Sequence, residues 1–368
     1  MKLLIVFGTR PELIKLAPII TLANDSSDTQ LHVCFTGQHP DLVIPLASAL
    51  NIMIHTQLSL KDTHGDLSLL SAQVIENLKP IMLNEQPDFC VVQGDTTSTL
   101  CGALSAFYHE IPVVHVEAGL RSGSIREPFP EEINRRLIAQ LATVHFAPTE
   151  HDANNLYQSG ISKHIVTVGN TVVDAVRQIQ NTYSGDARLP SLSPDKQTIV
   201  VTCHRRENWG SGMRRLCDEL KMLVCTQPVQ IVFVCHANPT LQAKAHEFLG
   251  EHSSIFIMPP ILYPQFIQLM QASDIIITDS GGIQEEAPIL GKPVLVFRNT
   301  TERIQGIQSG QAHCVSSGTL SQMVVKLLNN SDQYRIMAQE KSVYGDGNAA
   351  QRILKYLGGI INESNPDF

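Results

Sequence analysis

Short apolar runs bounded by polar or small residues recur along the whole 368-residue chain. Their lengths are typical of strands that are buried on both faces of a parallel sheet. The pattern predicts strands at residues 2–7, 31–36, 88–93, 112–117, 143–147, 164–168, 198–203, 230–235, 255–258, 274–278 and 293–297. Segments with helical spacing, including 66–85, 97–109, 212–225 and 239–250, lie between most of them. This alternation predicts an α/β fold.

The strands form two series, and a polar stretch with two prolines from Tyr183 to Pro194 separates them. Such a stretch is typical of a linker, and the chain is longer than one core usually requires. We therefore expect a Rossmann-like domain over residues 1–170 and a second one over residues 171–347. The amphipathic segment at about 348–368 is expected to complete the first domain as a helix.

Each series begins with a strand that leads into an arginine-containing loop, Gly8-Thr9-Arg10 in the first and His204-Arg205-Arg206 in the second. Ligands of doubly wound sheets bind beyond the carboxyl ends of the strands. The sequence therefore predicts two doubly wound parallel-sheet domains that face each other across a cleft, with a shared site and both loops beside it.

Composition and charge exclude several classes of partner. The formal net charge of -8 argues against a nucleic-acid binder, which needs a basic face. No apolar stretch approaches the ~20 residues of a membrane-spanning helix, so no membrane partner is expected. The eight cysteines are scattered without a Cys-x-x-Cys pair or a histidine at zinc spacing. They predict reduced thiols in the cytoplasm and no metal site.

Ser280, Gly281 and Gly282 lie between a predicted strand and a predicted helix. Glycines allow close backbone approach, and the amides at a helix N-terminus favour an anion such as a diphosphate. The alternative is a plain tight turn with Ser280 as the N-cap. Either Glu285 or Glu286, one turn later, is suited to bind ribose hydroxyls.

Arg10 and Lys15 lie at the start of the first predicted helix and together would offset the charge of a diphosphate. In the alternative interpretation, Arg10 pairs with Glu12 and Lys15 is solvated.

Three carboxylates stand at strand ends or helix starts in the first series: Asp95, Glu117 and Glu131. Asp95 could instead cap the following helix, and Glu131 could be a first-turn acid favoured by the helix dipole. Glu117 ends a very apolar strand, where a carboxylate is costly to bury without a partner or a function. Together they are candidates for an acid and a base.

His204 and His236 follow the first two strands of the second series, where this fold places ligands. A lone histidine is more often structural than catalytic. We expect both to line the cleft, with His204 the stronger candidate for a catalytic role.

Ten ordered segments resemble the non-hydrolysing UDP-N-acetylglucosamine 2-epimerases, a family with the glycosyltransferase-B architecture. They are Gly8-Thr9-Arg10-Pro11-Glu12, Thr36-Gly37-Gln38-His39, Gly94-Asp95-Thr96-Thr97, His115-Val116-Glu117-Ala118-Gly119-Leu120-Arg121, Phe129-Pro130-Glu131-Glu132, Gly169-Asn170-Thr171, His204-Arg205-Arg206-Glu207-Asn208, Thr278-Asp279-Ser280-Gly281-Gly282-Ile283-Gln284-Glu285-Glu286-Ala287-Pro288, Thr300-Thr301-Glu302-Arg303 and Tyr344-Gly345-Asp346-Gly347.

The resemblance implies that Asp95, Glu117 and Glu131 are acid-base carboxylates and that His204 lies near the leaving diphosphate. It also implies a set of residues that hold the UDP moiety: Arg10, Lys15, Phe266, Ser280, Gly281, Gly282, Glu286 and Arg303. A UDP-sugar substrate, an isomerase activity and a homodimer follow from the same resemblance.

The proton on carbon 2 of a hexose is not acidic, so its inversion needs activation. A Gly-x-Gly-x-x-Gly fingerprint for a tightly bound dinucleotide is missing after every predicted strand. No cofactor is therefore expected. Elimination of UDP to give a 2-acetamidoglucal, followed by re-addition, requires only an acid, a base and a held diphosphate.

The chain departs from the family pattern at Pro40-Asp41-Leu42-Val43, Ile261 and Ile304-Gln305-Gly306. The first of these lies in a region that partly forms an activator pocket in the family. The substrate can thus be UDP-N-acetylglucosamine or a related UDP-2-acetamido sugar, such as a diacetamido uronic acid. A glycosyltransferase of the same architecture and a silent UDP-sugar sensor are further alternatives.

Overall fold

A computed structural model describes residues 1–183, 189–205, 208–299, 301, 303–339 and 343–362. Residues 184–188 of the predicted linker lie outside the described residues. So do Arg206 and Glu207 of the second arginine loop, Thr300 and Glu302 of a family motif, and the predicted C-terminal helix beyond residue 362.

The chain divides into two compact units, one formed by residues 1–178 together with those from Tyr344 onward, the other by Ile179–Val343. The predicted limits of the folding domains, at residues 170 and 347, stay a prediction.

The first unit is built on a seven-stranded sheet in the order β3-β2-β1-β4-β5-β6-β7. Its strands are β1 Lys2–Phe7, β2 Gln30–Phe35, β3 Thr56–Gln57, β4 Phe89–Gln93, β5 Val113–Val116, β6 Val144–Ala147 and β7 Ile165–Thr167. Its helices are α1 Arg10–Asn24, α2 Pro40–Ala49, α3 Leu67–Glu85, α4 Thr97–Tyr108, α5 Glu131–Leu141, α6 Glu150–Gln158, most of α7 Thr171–Thr182, and α15 Ala349–Asn362.

The second unit is built on a six-stranded sheet in the order β10-β9-β8-β11-β12-β13. Its strands are β8 Gln197–Thr202, β9 Val229–Val234, β10 Ile255–Met258, β11 Ile275–Thr278, β12 Val294–Phe297 and β13 Ala312–Val315. Its helices are α8 Ser211–Thr226, α9 Pro239–Leu249, α10 Tyr263–Gln271, α11 Gly281–Ile289, α12 Ile304–Gln308, α13 Leu320–Asn329 and α14 Ser331–Met337.

The strand pairs are parallel in both sheets, which confirms the predicted pair of doubly wound α/β folds. The central strands are the continuous apolar runs of the sequence, and Leu3 to Phe7 of β1 have no exposed surface. The strand order reverses between β1 and β4 in one sheet and between β8 and β11 in the other. These two switch points are where a doubly wound sheet binds ligands.

Two strands were missed by the sequence prediction, β3 and β13, and both lie at a sheet edge. β3 is only two residues long, Thr56 and Gln57. β13 contains His313 and Cys314, which are not fully buried. An edge strand needs no continuous apolar run, so periodicity gives little signal there.

The C-terminal helix α15 packs on the first unit. Its Ile353 and Leu357 have no exposed surface. The Ala350 amide donates to Asp174 Oδ1 at 2.9 Å, and Arg352 Nη1 donates to the carbonyl of Val168 at 3.0 Å. The segment from Tyr344 to α15 is thereby fixed to the edge of the first sheet.

No helix among the described residues is long and apolar enough to cross a membrane.

The core of the first unit gives a matched test on helix α3. Leu78 has no exposed surface, whereas Leu83 on the same helix is 55% exposed. Leu78→Ala should lower the free energy of unfolding by about 2–5 kcal/mol, because it leaves a cavity. Leu83→Ala should change it by less than about 0.5 kcal/mol. Urea unfolding followed by circular dichroism measures both, and equal effects would contradict this packing.

Candidate functional site

The switch point of the first unit brings together the loops that follow β1 and β4. Gly8 and Thr9 follow β1, and Gly94, Asp95 and Thr96 follow β4. Gly8 has no room for a side chain, since a Cβ there would lie 2.1 Å from Ser98 Oγ and 2.6 Å from Thr36 Oγ1. The two loops therefore approach each other closely only because residue 8 is glycine.

Glu117 follows β5 directly and is held from two sides. Lys15 Nζ lies 2.7 Å from Glu117 Oε1 and 2.6 Å from Oε2, and Gln93 Nε2 donates to Oε2 at 2.7 Å. The Glu117 backbone has a φ of 64°, in the left-handed region that a non-glycine residue rarely adopts. The buried carboxylate thus has the partner that its cost of burial required, and the strained backbone is typical of functional sites.

Lys15 is consequently not solvated, and the alternative interpretation of this loop is wrong. Arg10 is exposed, whereas Glu12 is 1% exposed and accepts hydrogen bonds from Thr9, Thr96 and other groups of the two loops. The predicted pair of cations is therefore split: Lys15 is bound to Glu117, and Arg10 faces solvent.

Asp95 does not cap helix α4. Thr96 is the N-cap, and its hydroxyl accepts from the Thr99 amide at 3.1 Å. Asp95 Oδ2 instead accepts from Arg135 Nε at 3.0 Å, and Asn134 Nδ2 donates to the Asp95 carbonyl at 2.9 Å. Helix α5 thus holds both the carboxylate and the backbone of Asp95.

Glu131 and Glu132 begin helix α5 but differ in environment. Glu132 has no exposed surface and accepts from Arg135 Nη1 at 3.1 Å, Arg136 Nε at 2.8 Å and the Ser122 amide at 2.9 Å. Burial acts to raise the pKa of Glu132, but these hydrogen bonds and charges outweigh it and lower the pKa. Glu131 is half-buried and makes no hydrogen bond or ion pair with the described residues. No contact among those residues therefore joins it to Asp95 or Glu117, the other two predicted carboxylates.

His115 supports the loop that contains Asp95. Its Nε2 lies 2.8 Å from the Gly94 carbonyl, and its side chain is almost fully buried. Burial lowers the pKa of His115 to about 4. The ring is therefore neutral near pH 7, with its proton on Nε2, because a carbonyl can only accept.

At the switch point of the second unit, Asp279 organises the loop that contains His204. Asp279 is fully buried at the end of β11. Its carboxylate accepts from the amides of His204 at 2.9 Å and Arg205 at 3.0 Å, and from Asn208 Nδ2 at 2.8 Å. The adjacent ends of β8 and β11 are joined by the hydroxyls of Thr202 and Thr278, 2.7 Å apart. The position of His204 is thus set by hydrogen bonds to its backbone.

Ser280 occupies the N-cap position of helix α11 but makes no side-chain cap hydrogen bond. Gly281 and Gly282, both half-buried, form the first residues of the helix. This geometry favours the anion-site interpretation over a plain cap, because the hydroxyl is not used to satisfy the helix amides.

The two glutamates of α11 have different surroundings. Glu285 is 2% exposed and forms an ion pair with Arg303, whose Nε lies 2.6 Å from Glu285 Oε1. Glu286 lies beside the glycine turn, with its Oε1 3.6 Å from where a Cβ of Gly282 would be. This arrangement favours Glu286 as the ribose-binding candidate.

His204 and His236 are neighbours, with ring centroids 5.4 Å apart, and the ring of Trp209 lies 6.5 Å from that of His236. Phe266 is on α10 and is 9% exposed, so only a small part of its ring is accessible to a ligand. The binding roles of Phe266 and His236 stay predictions.

Several residues of these sites were not predicted: Glu12, Gln93, Glu132, Arg135 and Asp279. Gln93 and Asp279 had a signal, since each is a polar residue at the end of an apolar run. Arg135 had a weaker one, its three-residue spacing from Glu132 on a helix. Among the described residues, no group of three or more His, Cys, Asp or Glu side chains is placed to hold a metal ion.

The close packing at Gly8 generates a prediction. Gly8→Ala should cost about 1–3 kcal/mol of unfolding free energy, because Ser98 and Thr36 must move apart. Gly358→Ala on α15, where a Cβ would meet no atom within 4 Å, is the matched control and should not destabilise the protein. Thermal unfolding of both variants tests this, and an undiminished Tm for Gly8→Ala would refute the close approach.

His115 generates a second prediction, on pH. Its pKa of about 4 is below the usual value, so its contribution to stability is complete above about pH 6.5 and declines as the pH falls toward about 4. Glu12 acts in the opposite sense, because burial raises its pKa to about 6. Between about pH 7.5 and about pH 5, His115→Gln should lose about 2 kcal/mol less stability than the wild type.

Urea midpoints at the two pH values measure this difference. His151→Gln, at an exposed position, is the control and should keep the pH dependence of the wild type. Equal losses in the wild type and His115→Gln would show that His115 is not the titrating group.

A family model of UDP-N-acetylglucosamine 2-epimerase matches residues 22–358. The UDP-N-acetylglucosamine 2-epimerase of Escherichia coli K12 is 40% identical over 371 residues, covering 97% of this chain and 98% of that protein.

Two solved structures are similar over almost the whole chain. The UDP-GlcNAc 2-epimerase from Neisseria meningitidis bound to UDP-GlcNAc has a TM-score of 0.87 and 36% identity, with 98% of this chain and 100% of that chain covered. The Methanocaldococcus jannaschii enzyme in complex with UDP-GlcNAc and UDP has a TM-score of 0.79 and 32% identity, with 98% and 100% covered. These matches confirm the resemblance that the motifs predicted. The chain belongs to the UDP-N-acetylglucosamine 2-epimerase family.

Proposed function

We propose that this protein interconverts UDP-N-acetylglucosamine and UDP-N-acetylmannosamine without hydrolysing them. A base removes the proton from carbon 2 while the bond between carbon 1 and the UDP oxygen breaks, giving 2-acetamidoglucal and UDP. UDP then adds back to carbon 1, and an acid delivers a proton to the opposite face of carbon 2. The family match and the binding of UDP-GlcNAc by a solved relative support this proposal.

The observation that carries the chemistry is the Glu117 site. Proton abstraction from carbon 2 needs a carboxylate held in one geometry, and Glu117 is fixed by Lys15 on one side and Gln93 on the other. Asp95 follows the neighbouring strand and is oriented by Arg135. We assign proton transfer to Asp95, Glu117 and Glu131, without dividing the roles of acid and base among them.

The second unit supplies the groups suited to UDP. Ser280, Gly281 and Gly282 at the start of α11 are proposed to hold the diphosphate together with His204. Arg10 and Lys15 of the first unit, the latter also bound to Glu117, are proposed as further substrate-binding residues. Glu286 is proposed to bind the ribose hydroxyls. Further contacts with the UDP-sugar are proposed for Phe266, His236 and Arg303. Donors that are already fixed where charge develops stabilise the departing diphosphate without reorganisation.

We also propose that the enzyme is a cytoplasmic homodimer that needs no cofactor. The homodimer follows from the family resemblance. The cytoplasmic location is supported by the cysteines, because all eight are free thiols and six of them are buried. Such thiols are typical of a reducing compartment.

Incubation with UDP-N-acetylglucosamine in deuterated water, followed by NMR, tests the reaction. We expect deuterium at carbon 2 and a signal of UDP-N-acetylmannosamine. Exchange only on UDP-2,3-diacetamido-glucuronic acid would instead assign a related substrate. Free N-acetylmannosamine with UDP would indicate a hydrolysing enzyme, and absence of exchange on both sugars would refute the proposed activity and leave a glycosyltransferase or a sensor.

The acid-base assignment has its own variants. Asp95→Asn, Glu117→Gln and Glu131→Gln should each reduce exchange by at least about 100-fold while UDP still binds in calorimetry. Glu76→Gln, an exposed carboxylate on α3, is the control and should exchange like the wild type. Undiminished exchange in the three variants would remove these residues from the proton-transfer steps.

A further inference from the structure

Glu12 is a buried carboxylate whose two oxygens serve two different loops. Oε2 accepts from the Gly8 amide at 3.2 Å and from Thr9 Oγ1 at 2.7 Å, both in the loop after β1. Oε1 accepts from Thr96 Oγ1 at 3.1 Å and Thr99 Oγ1 at 2.9 Å, both at the start of α4 after β4. One side chain thus joins the two loops of the switch point.

The partners of Glu12 are all neutral. Among the described residues, its carboxylate has hydrogen bonds from one amide and three hydroxyls and no ion pair. Burying a carboxylate without a cation is costly, and here burial raises its pKa to about 6. A residue kept in such an environment is better explained by the geometry it imposes than by its contribution to stability.

The loops that Glu12 joins are those that contain candidate site residues. Thr9 immediately precedes Arg10, and Thr96 immediately follows Asp95. Thr99 Oγ1 also lies 2.8 Å from the carbonyl of Gln93, whose side chain donates to Glu117. A change at Glu12 therefore reaches the supports of two carboxylates that the proposed function uses.

We propose that Glu12 is a positioning residue: it fixes the loops after β1 and β4 to each other so that Arg10, Asp95 and Glu117 keep their relative placement. This inference rests on the proposed function, since the residues that it positions are those assigned to epimerisation. Glu12 itself is 1% exposed, which leaves almost no surface for direct contact with a substrate.

Variants that remove one hydroxyl donor to Glu12 test directly whether this side chain connects the two loops. Thr9→Val removes one donor to Oε2, and Thr9 makes no side-chain cap bond to α1, so this change affects only the Glu12 contact. Thr99→Val removes a donor to Oε1. Each should raise amide hydrogen exchange about fivefold in the loop that it does not belong to, residues 93–100 for Thr9→Val and 7–13 for Thr99→Val.

Hydrogen-exchange mass spectrometry of the whole protein measures these peptides. Thr198→Val is the matched control, because Thr198 is also a buried threonine but lies near the start of strand β8 in the second unit. It should change neither peptide. An effect confined to each variant's own loop would overturn the proposal.

Kinetics separate positioning from a merely structural role. Glu12→Ala should lower kcat for deuterium exchange about 10- to 100-fold, with a smaller change in KM, because misplacement affects the reacting geometry. Glu12→Asp should be similarly impaired, since the shorter side chain cannot reach both loops. Glu12→Gln should keep kcat within about threefold of the wild type. Its side-chain oxygen can accept from one loop, and the hydroxyls of the other loop can rotate so that they accept hydrogen bonds from its NH₂ group.

A lowered kcat in Glu12→Gln together with a normal kcat in Glu12→Asp would contradict the proposal, because the charge of residue 12 and not the length of its side chain would then be what matters. If Glu12→Ala does not fold, Thr9→Val still allows both measurements, amide hydrogen exchange in the loops and kcat for deuterium exchange. A wild type that exchanges no deuterium into either sugar would refute the proposed function, while the cross-loop protection would still decide the role of Glu12.

Discussion

Carboxylates with almost no access to water lie near the carboxyl ends of the parallel strands. The loops around both switch points provide the hydrogen bonds and cations that offset their buried negative charge. Glu12, Glu132 and Asp279 are 1% exposed or less. A buried charge is tolerated only with charged partners or several hydrogen bonds. The loops that provide these partners are the same loops that contain the candidate site residues, so compensating the buried charge also fixes the site.

The compensation takes two forms with different consequences. Glu132 and Glu117 are matched by cations, and each cation has a defined position as a result. Arg135 contacts Glu132 and Asp95 together, so the buried Glu132 indirectly orients a candidate acid or base. Glu12 and Asp279 accept mainly from amides and hydroxyls, and Arg10, in the loop beside Glu12, is exposed.

Much of the fold could be predicted from the sequence because buried parallel strands are continuous apolar runs. Edge strands β3 and β13 have no such run and were missed. At the site, the cost of burying Glu117 correctly indicated that it needs a partner. The partner itself, Lys15, is 102 residues away, and Arg135 is 40 residues from Asp95. Such pairs depend on how the strands are ordered in the sheet, which local spacing does not determine.

Glu12 shows this limit most clearly. Two residues after Arg10, it suggested a local ion pair, but its side chain accepts hydrogen bonds from hydroxyls 84 and 87 residues away, beyond the carboxyl end of β4. Asp279 has a comparable role from the other side of the second switch point, since it follows β11, the counterpart of β4, and binds the backbone of the loop after β8. Each unit therefore fixes its switch-point loops with one buried carboxylate. Loops held in this way can present donors and acids in a set geometry before the substrate arrives, which is the condition for stabilising a departing diphosphate without reorganisation.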